Sequence, residues 1–554
     1  MRTEFVRIYK SVHTWTGILS GMALFIAFYA GALTVFKEPL ARWATPPSLT
    51  VSVPLADTQA LIVKTLAANP TAARDFSIQL EEIESTPARM SWQVRDAGAD
   101  DHDESAVRHF MATLDASGAA HVSQSQPSTL GSFIDVLHRV VGLPFDNDPS
   151  RWVMGIVAAL YALALISGVI VLLPSLVKDF FALRVGKNLK RMWLDAHNVV
   201  GIISLPFHIV MALTAVVFAF HDQIYDAQDK LVHQGKWAAA FQRPTPKPGS
   251  APPARDVAAM LTPVDIVAKA QALSVDFKPE ILQYQQVTGP RAVVRVWGKD
   301  ASAVSPRARG GFVAFDPYSG KLLNTDYMPG RQDVPNLFIS SFFALHMASF
   351  GTVAVQWMYF VLGLAGAWLF YSGNLLWVES RRRRAAAHST QVPVQRLDTR
   401  LMAAATVGVC LGCVCGISLM TAASKWLHGH VADLGAAIRI VYYAAFFAAL
   451  AWAFVRGAGA AAIHLLWLCA LATLAIPVTT LLAWLVPALG WWAHVSAATL
   501  GVDLTALAGA LCLAWMARAT SRRLRNGRPD SVWTVSPRTG PDEVMSAQGR
   551  RSPA

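Results

Sequence analysis

The chain has 554 residues, 54% of them apolar and only 15% charged. Soluble proteins carry about 25% charged residues, so a water-soluble enzyme is excluded, and disordered and fibrous classes go with it. The net charge of +12 does not mark a nucleic-acid binder, because the basic residues lie between long hydrophobic runs, where they set orientation in a bilayer.

Eight stretches are long and apolar enough to cross a hydrocarbon core of roughly 30 Å. They fall near 14–36, 152–173, 198–220, 351–377, 401–420, 437–455, 461–486 and 493–516. The first follows Arg2, Arg7 and Lys10 and is too long for a signal-peptide core, so it reads as an uncleaved anchor. With eight crossings, three basic clusters share the side of the N-terminus. They are Lys178, Arg184, Lys187, Lys190 and Arg191; Arg381 to Arg384; and Arg518, Arg522, Arg523, Arg525 and Arg528. The positive-inside rule then places both termini in the cytoplasm.

The chain divides accordingly: a first span (1–36), an external module (37–150), a second span (151–174), a basic loop (175–196) and a third span (197–221). A second external module (222–345), a fourth span (346–378), a basic linker (379–400), a four-span bundle (401–517) and a cytoplasmic tail (518–554) complete it. The first module shows a helix at Asp57–Ala68 and strands at Met90–Val94, His109–Leu114 and Ala119–Ser123. In the second, a Pro-rich connector at Pro244–Pro253 precedes a helix at Pro263–Leu273 and strands at Ile281–Val287 and Ala292–Trp297. A strand–turn–strand follows at Gly311–Leu323, turning at Asp316-Pro317-Tyr318-Ser319-Gly320. The expected fold is mainly α: a polytopic helical membrane protein carrying two external α+β modules.

The first two-thirds of the chain repeats itself. His13-Thr-Trp-Thr-Gly17-Ile18-Leu-Ser20 opens the first span, and His197-Asn-Val-Val-Gly201-Ile202-Ile-Ser204 opens the third. Leu137-His138 precedes the second span, which ends near Ser167-Gly168; Leu345-His346 precedes the fourth, which ends near Ser372-Gly373. Both units run the same way, a parallel repeat about the membrane normal. The last four spans lack the pattern.

These histidines are the candidate site. His13 and His197 lie at equivalent mouths and are placed to face one another. His208 lies eleven residues beyond His197; on one unbroken helix that is about 20° of rotation and roughly 16 Å of rise. His138 and His346 supply partners at the outer level. Imidazoles on facing helices with an apolar slot between them suit axial ligation of haem. Gly17, Gly21, Gly31 and Gly201 leave room, and Lys190, Arg191, Arg139 and Arg151 stand near the mouths for propionates. Any one interfacial His is ordinarily just hydrated, but His208 lies mid-span, where an ionisable group is functional by default.

The remaining candidates are weaker. Cys410, Cys413, Cys415, Cys469 and Cys512 all lie in apolar runs, which fits helix packing better than an iron–sulfur site. No Cys-x-x-Cys-His motif is present, so c-type haem is excluded. His428 and His430 read as a polar loop before a metal site; His102, His109 and His121 lack ligand spacing; His221 and His233 read as hydrated. No glycine-rich nucleotide fingerprint follows a strand, and neither Gly-x-Ser-x-Gly nor His-Glu-x-x-His occurs.

Taken together, His13-x3-Gly17-Ile18, Leu137-His138-Arg139-Val-Val-Gly142, His197-x3-Gly201, Leu345-His346-x4-Gly351 and the Asp316–Gly320 turn resemble the PepSY-associated transmembrane family across residues 1–380. The resemblance implies PepSY-like periplasmic modules, a bacterial inner-membrane location and two haem b groups. It also implies electron transfer to Fe(III)-siderophore, with His13, His138, His197, His208 and His346 as the haem-binding set. The expected arrangement has His13 and His197 at the cytoplasmic level and His208 with His346 or His138 at the periplasmic level. The electron donor would be a membrane quinol or a cytoplasmic reductase. Two rivals stand beside this: a non-catalytic sensor or peptidase regulator, and a transporter, the latter weakened by the few acidic residues inside the spans.

Overall fold

A computed structural model describes residues 3–47, 52–81, 88–96, 107–125, 127–145, 148–180, 189–232, 234–235, 254–304, 310–383, 393–526 and 530–534. The connector 244–253, His102, His233, Arg2, Arg184, Lys187, Arg384 and Arg528 lie outside them.

The helices are α1 (Thr3–Thr34), α2 (Lys37–Ala44), α3 (Thr58–Ala68), α4 (Leu130–Arg139), α5 (Asp148–Leu172), α6 (Leu176–Phe180), α7 (Leu189–Ile203), α8 (Leu205–Ala219) and α9 (His221–Leu231). They continue with α10 (Pro263–Leu273), α11 (Val334–Met347), α12 (Val353–Ser380), α13 (Leu397–Trp426), α14 (Leu434–Arg456), α15 (Ala458–Leu485) and α16 (Ala497–Arg525). Seven helices among the described residues are long and apolar enough to span a bilayer, or eight if the bent pair α7–α8 makes one span. The chain is thus a multi-pass membrane protein. The cationic residues Arg7, Lys190, Arg381, Arg382 and Arg522 lie at helix ends remote from the extramembrane sheet.

The third span is broken. Its halves meet at Ser204 with a bend of 69°, because Pro206 occupies the first turn of α8. Proline has no N–H to donate, and its ring clashes with the carbonyl four residues back, here that of Ile202. The one-face relation between His197 and His208, expected from a straight helix, therefore does not hold. His138 and His346 also sit apart from the spans, on the short helices α4 and α11 that lead into α5 and α12.

The two external segments form one sheet rather than two separate modules. The strands are β1 (Asp75–Gln79), β2 (Met90–Arg95), β3 (Val107–Leu114), β4 (Ala120–Ser125), β5 (Phe277–Gln285), β6 (Val293–Asp300), β7 (Gly311–Phe315) and β8 (Leu322–Tyr327). Their order, β4-β3-β2-β1-β5-β6-β7-β8, is symmetric about the β1–β5 seam. Both segments follow a helix with a four-strand meander. At the seam, Asp75 to Gln79 pair antiparallel with Gln285 to Ile281. Phe76 and Tyr284 stack across it at 4.8 Å, and both are fully buried. Thr262 and Asp265 form a capping box that fixes the start of α10, satisfying two otherwise orphaned N–H groups.

The remaining spans α13–α16 pack on one another and share one hydrophobic core with α1, α2 and α4, through Phe25, Ile26, Trp43, Phe133 and Leu137. Cys410, Cys413, Cys415 and Cys469 are buried in that core. Gly412 and Gly416 let α13 approach Phe446 and Tyr442 of α14. Among the described residues no group of three or more His, Cys, Asp or Glu is arranged to hold a metal ion.

Candidate functional site

Each of the five histidines has its Nδ1 engaged by a neighbouring element. His13 on α1 lies 2.8 Å from the carbonyl of Ala164 on α5. His138 on α4 lies 2.7 Å from the carbonyl of Ala27 on α1. A carbonyl can only accept, so both rings carry a proton on Nδ1, which leaves Nε2 as the nitrogen that could face a ligand.

The other three rings meet hydroxyls, and each hydroxyl has its own proton committed elsewhere. Ser372 Oγ, 2.9 Å from His197 Nδ1, donates to the Leu369 carbonyl. Thr214 Oγ1, 2.8 Å from His346 Nδ1, donates to the Val210 carbonyl. Tyr161 Oη, 2.6 Å from His208 Nδ1, lies 3.1 Å from the His208 carbonyl, which accepts its proton. Each oxygen then accepts Nδ1–H from its imidazole. All five rings are held with a proton on Nδ1, the arrangement that metal-binding histidines take when the second nitrogen is pinned by a protein acceptor.

Glycines press against these rings. A Cβ at Gly168 would lie 2.9 Å from His13 Nδ1, and one at Gly31 would lie 2.7 Å from His138 Nδ1. A Cβ at Gly366 would stand 3.1 Å from His208 Cε1. Gly21 faces Asn374, whereas a methyl placed on Gly17 or Gly201 would meet nothing within 4 Å, so open space lies beside each, one helical turn from His13 and His197.

The rings fall into two groups. His138 and His346 lie side by side, with centroids 6.1 Å apart and planes inclined by 41°. His197 lies within electrostatic reach of both His13 and His208. His346 thus lies beside His138, while His208 is lined by Phe28, Phe207 and Tyr161.

His208 stands alone among aromatic rings: Phe28 and Phe207 at 5.5 Å and Tyr161 at 6.0 Å. It is 3% exposed, and its Nε2 is buried with no hydrogen-bond partner. A buried unsatisfied nitrogen costs about 1–3 kcal/mol, which a ligand on that atom would offset. These residues fit haem: imidazoles held through Nδ1, with apolar walls around them.

The basic residues near the mouths are partly committed. Arg191 pairs with Asp195 at 3.0 Å and Arg139 with Asp135 at 3.4 Å. His221 donates from Nδ1 to the Phe218 carbonyl at 2.6 Å and contacts Asp222, on the surface. His428 packs edge-on against Trp492, and His494 bonds the Thr45 carbonyl at 2.8 Å. Tyr161, Thr214 and Ser372 are the site residues that the histidine pattern alone does not reveal. Their signal in the sequence is a lone hydroxyl inside an apolar run.

Compared with known proteins, the chain matches the PepSY-associated TM region family over residues 10–380. No curated protein matches it.

Proposed function

Because the chain belongs to the PepSY-associated TM region family, we propose that it is a transmembrane di-haem b electron conduit that reduces Fe(III)-siderophore. The observation that carries this reading is the engagement of Nδ1 in each of His13, His138, His197, His208 and His346 by a neighbouring element, together with the buried, unpartnered Nε2 of His208. Bound haem would supply one-electron exchange between ferric and ferrous iron.

The chain's own residues supply ligation, spacing and burial. His13 and His197 hold the inner position, anchored to Ala164 and Ser372. His138 and His346 hold the outer position, supported by their 6.1 Å separation. Along α8, His208 lies six residues from Thr214, the anchor of His346, or about 9 Å, which makes it a further ligand position between the levels. Phe28, Phe207 and Phe370 fill the space around it and exclude water.

The orientation follows the basic helix ends. Arg7, Lys190, Arg381 and Arg522 face the cytoplasm of a bacterial inner membrane, with both termini there and the sheet in the periplasm. Ferric iron is held tightly by hard oxygen donors, and the ferrous ion less so. Delivering one electron to the chelate therefore loosens it without any protein acid or base.

The test is a pyridine haemochrome count on detergent-purified protein. It is followed by reoxidation of the dithionite-reduced form by Fe(III)-siderophore with an Fe(II) trap present. Two haems per chain and stoichiometric Fe(II) are expected. A colourless protein from haem-sufficient cells would overturn the reading and leave the non-catalytic PepSY-type regulator.

A further inference from the structure

A groove of about 470 Å³ lies on the outside of the four-span group, lined by Pro144, Ala436, Arg439, Ile440, Tyr443, Ala444 and Phe447. Six of these residues form one stripe of α14 at helical spacing; Pro144, just beyond the His138 helix, forms the rim. The stripe starts at the end of α14 nearest the sheet. Ala436 to Phe447 covers eleven residues, or about 16 Å, which is the depth of one leaflet of a hydrocarbon core of about 30 Å.

The groove is polar at one end only. Arg439 is its single charge, about one turn below the start of α14. An Arg at that depth reaches back toward the headgroup layer while its stem covers apolar surface. The nearby Asp433 is committed to capping α14, accepting the Ala436 N–H at 2.8 Å. Tyr443 is committed too, its hydroxyl donating to the Leu143 carbonyl at 2.8 Å. Below Arg439, Ile440, Ala444 and Phe447 make an apolar wall.

We propose that this groove binds one anionic phospholipid, its phosphate on Arg439 and one acyl chain along Ile440, Ala444 and Phe447. The ligand's shape matches the groove: a negative head at the interface and a tail one leaflet long. A quinol fits less well. Its oxidation releases protons, and no lining residue is a carboxylate or an imidazole able to take them. The bound lipid lies where α14 already meets the segment that leaves the His138 helix, through Tyr443 and Leu143, and adds to that contact.

The experiment uses full-length protein, delipidated in detergent and offered phosphatidylglycerol or phosphatidylcholine of identical chains, with native mass spectrometry counting retained lipid and a melting curve alongside. At least a fivefold preference for phosphatidylglycerol is expected, with a higher Tm in its presence. Arg439→Gln should abolish the preference. Ala444→Trp, which fills the apolar wall and leaves the charge, should lower retention of both lipids; it also serves if Arg439→Gln fails to elute as a monodisperse peak. Equal retention of the two lipids by the parent protein, undiminished preference in Arg439→Gln, or a co-purified quinone displaced by Ala444→Trp would each overturn the assignment.

Discussion

Tyr161 makes two hydrogen bonds to the same residue: its hydroxyl donates to the His208 carbonyl at 3.1 Å and accepts from His208 Nδ1 at 2.6 Å. The tyrosine thereby fixes both the tautomer and the tilt of the ring from a different helix. Removing the hydroxyl leaves a buried Nδ1–H without an acceptor, at a cost of about 1–3 kcal/mol. It also frees the proton to move to Nε2, the atom offered to a ligand. Loss of such a partner commonly weakens metal binding about 10–100-fold. Tyr161→Phe should therefore lose haem during washing under conditions in which the parent retains it, with little change in helix content by circular dichroism. Undiminished haem after equal washing would show that Tyr161 has no such part.

The glycines divide into two kinds, and alanine substitution should separate them. At Gly31 and Gly168 a methyl would sit inside contact distance of His138 and His13. Overpacking of that sort costs about 1–3 kcal/mol, and the displaced rings would lose their carbonyl partners at Ala27 and Ala164. Gly17 and Gly201 meet nothing within 4 Å, and Gly→Ala in a helix interior is worth about 0.5–1 kcal/mol in favour of alanine. Gly31→Ala and Gly168→Ala should lower Tm and shift the haem absorbance, while Gly17→Ala should hold or raise the Tm of the haem-free protein. A lowered Tm in haem-free Gly17→Ala would contradict this division.

Much of this is readable in the sequence, and the failures have physical causes. The spans follow from length and apolarity, and α10 follows from its capping box and proline start. The turn at Asp316 follows from side-chain capping: its Oδ1 accepts the N–H groups of Tyr318 and Ser319 at 2.9 Å. β1 alternates polar and apolar residues, with Phe76 and Ile78 buried, but over only five residues, too short a run to stand out. Without β1, the joining of two segments into one sheet is invisible, since the seam is a pairing between residues about two hundred positions apart. Pro206 is in plain view, and its effect on the His197–His208 relation follows from helix sterics alone. The hydroxyl partners at Tyr161, Thr214 and Ser372 come from other helices and depend on tertiary packing that a repeat pattern does not encode.

The seam of the sheet makes its own prediction. Phe76 and Tyr284 stack across it, fully buried, and truncating a buried Phe costs about 3–5 kcal/mol. Phe76→Ala should make the extramembrane sheet markedly more sensitive to proteolysis, while Phe110→Ala, at a partly buried position beyond β2, should do less. Equal sensitivity of the two variants would mean that the halves of the sheet do not depend on the seam.

The Asp316 turn ties sheet stability to pH. Burial by itself would raise the carboxyl, but the N–H groups of Ser319 and Tyr318 and the Arg255 guanidinium outweigh it and hold the pKa below the ordinary 3.8. Arg255 pairs with Asp316 at 3.3 Å and stacks over the Tyr318 ring at 3.7 Å. A carboxylate whose folded pKa is depressed contributes stability that is complete above its unfolded pKa and is lost as pH falls through the folded value. The window therefore opens near pH 4 and extends downward. Amide exchange at β7 and β8 should accelerate relative to β2 and β3 as pH drops below that point, after correction for intrinsic rates. In Asp316→Asn the β7–β8 hairpin should already be weakened at neutral pH, and its protection relative to β2 and β3 should change less on acidification. A parent protein whose β7–β8 protection is flat across the same range would show that the turn's charge contributes nothing to holding the hairpin.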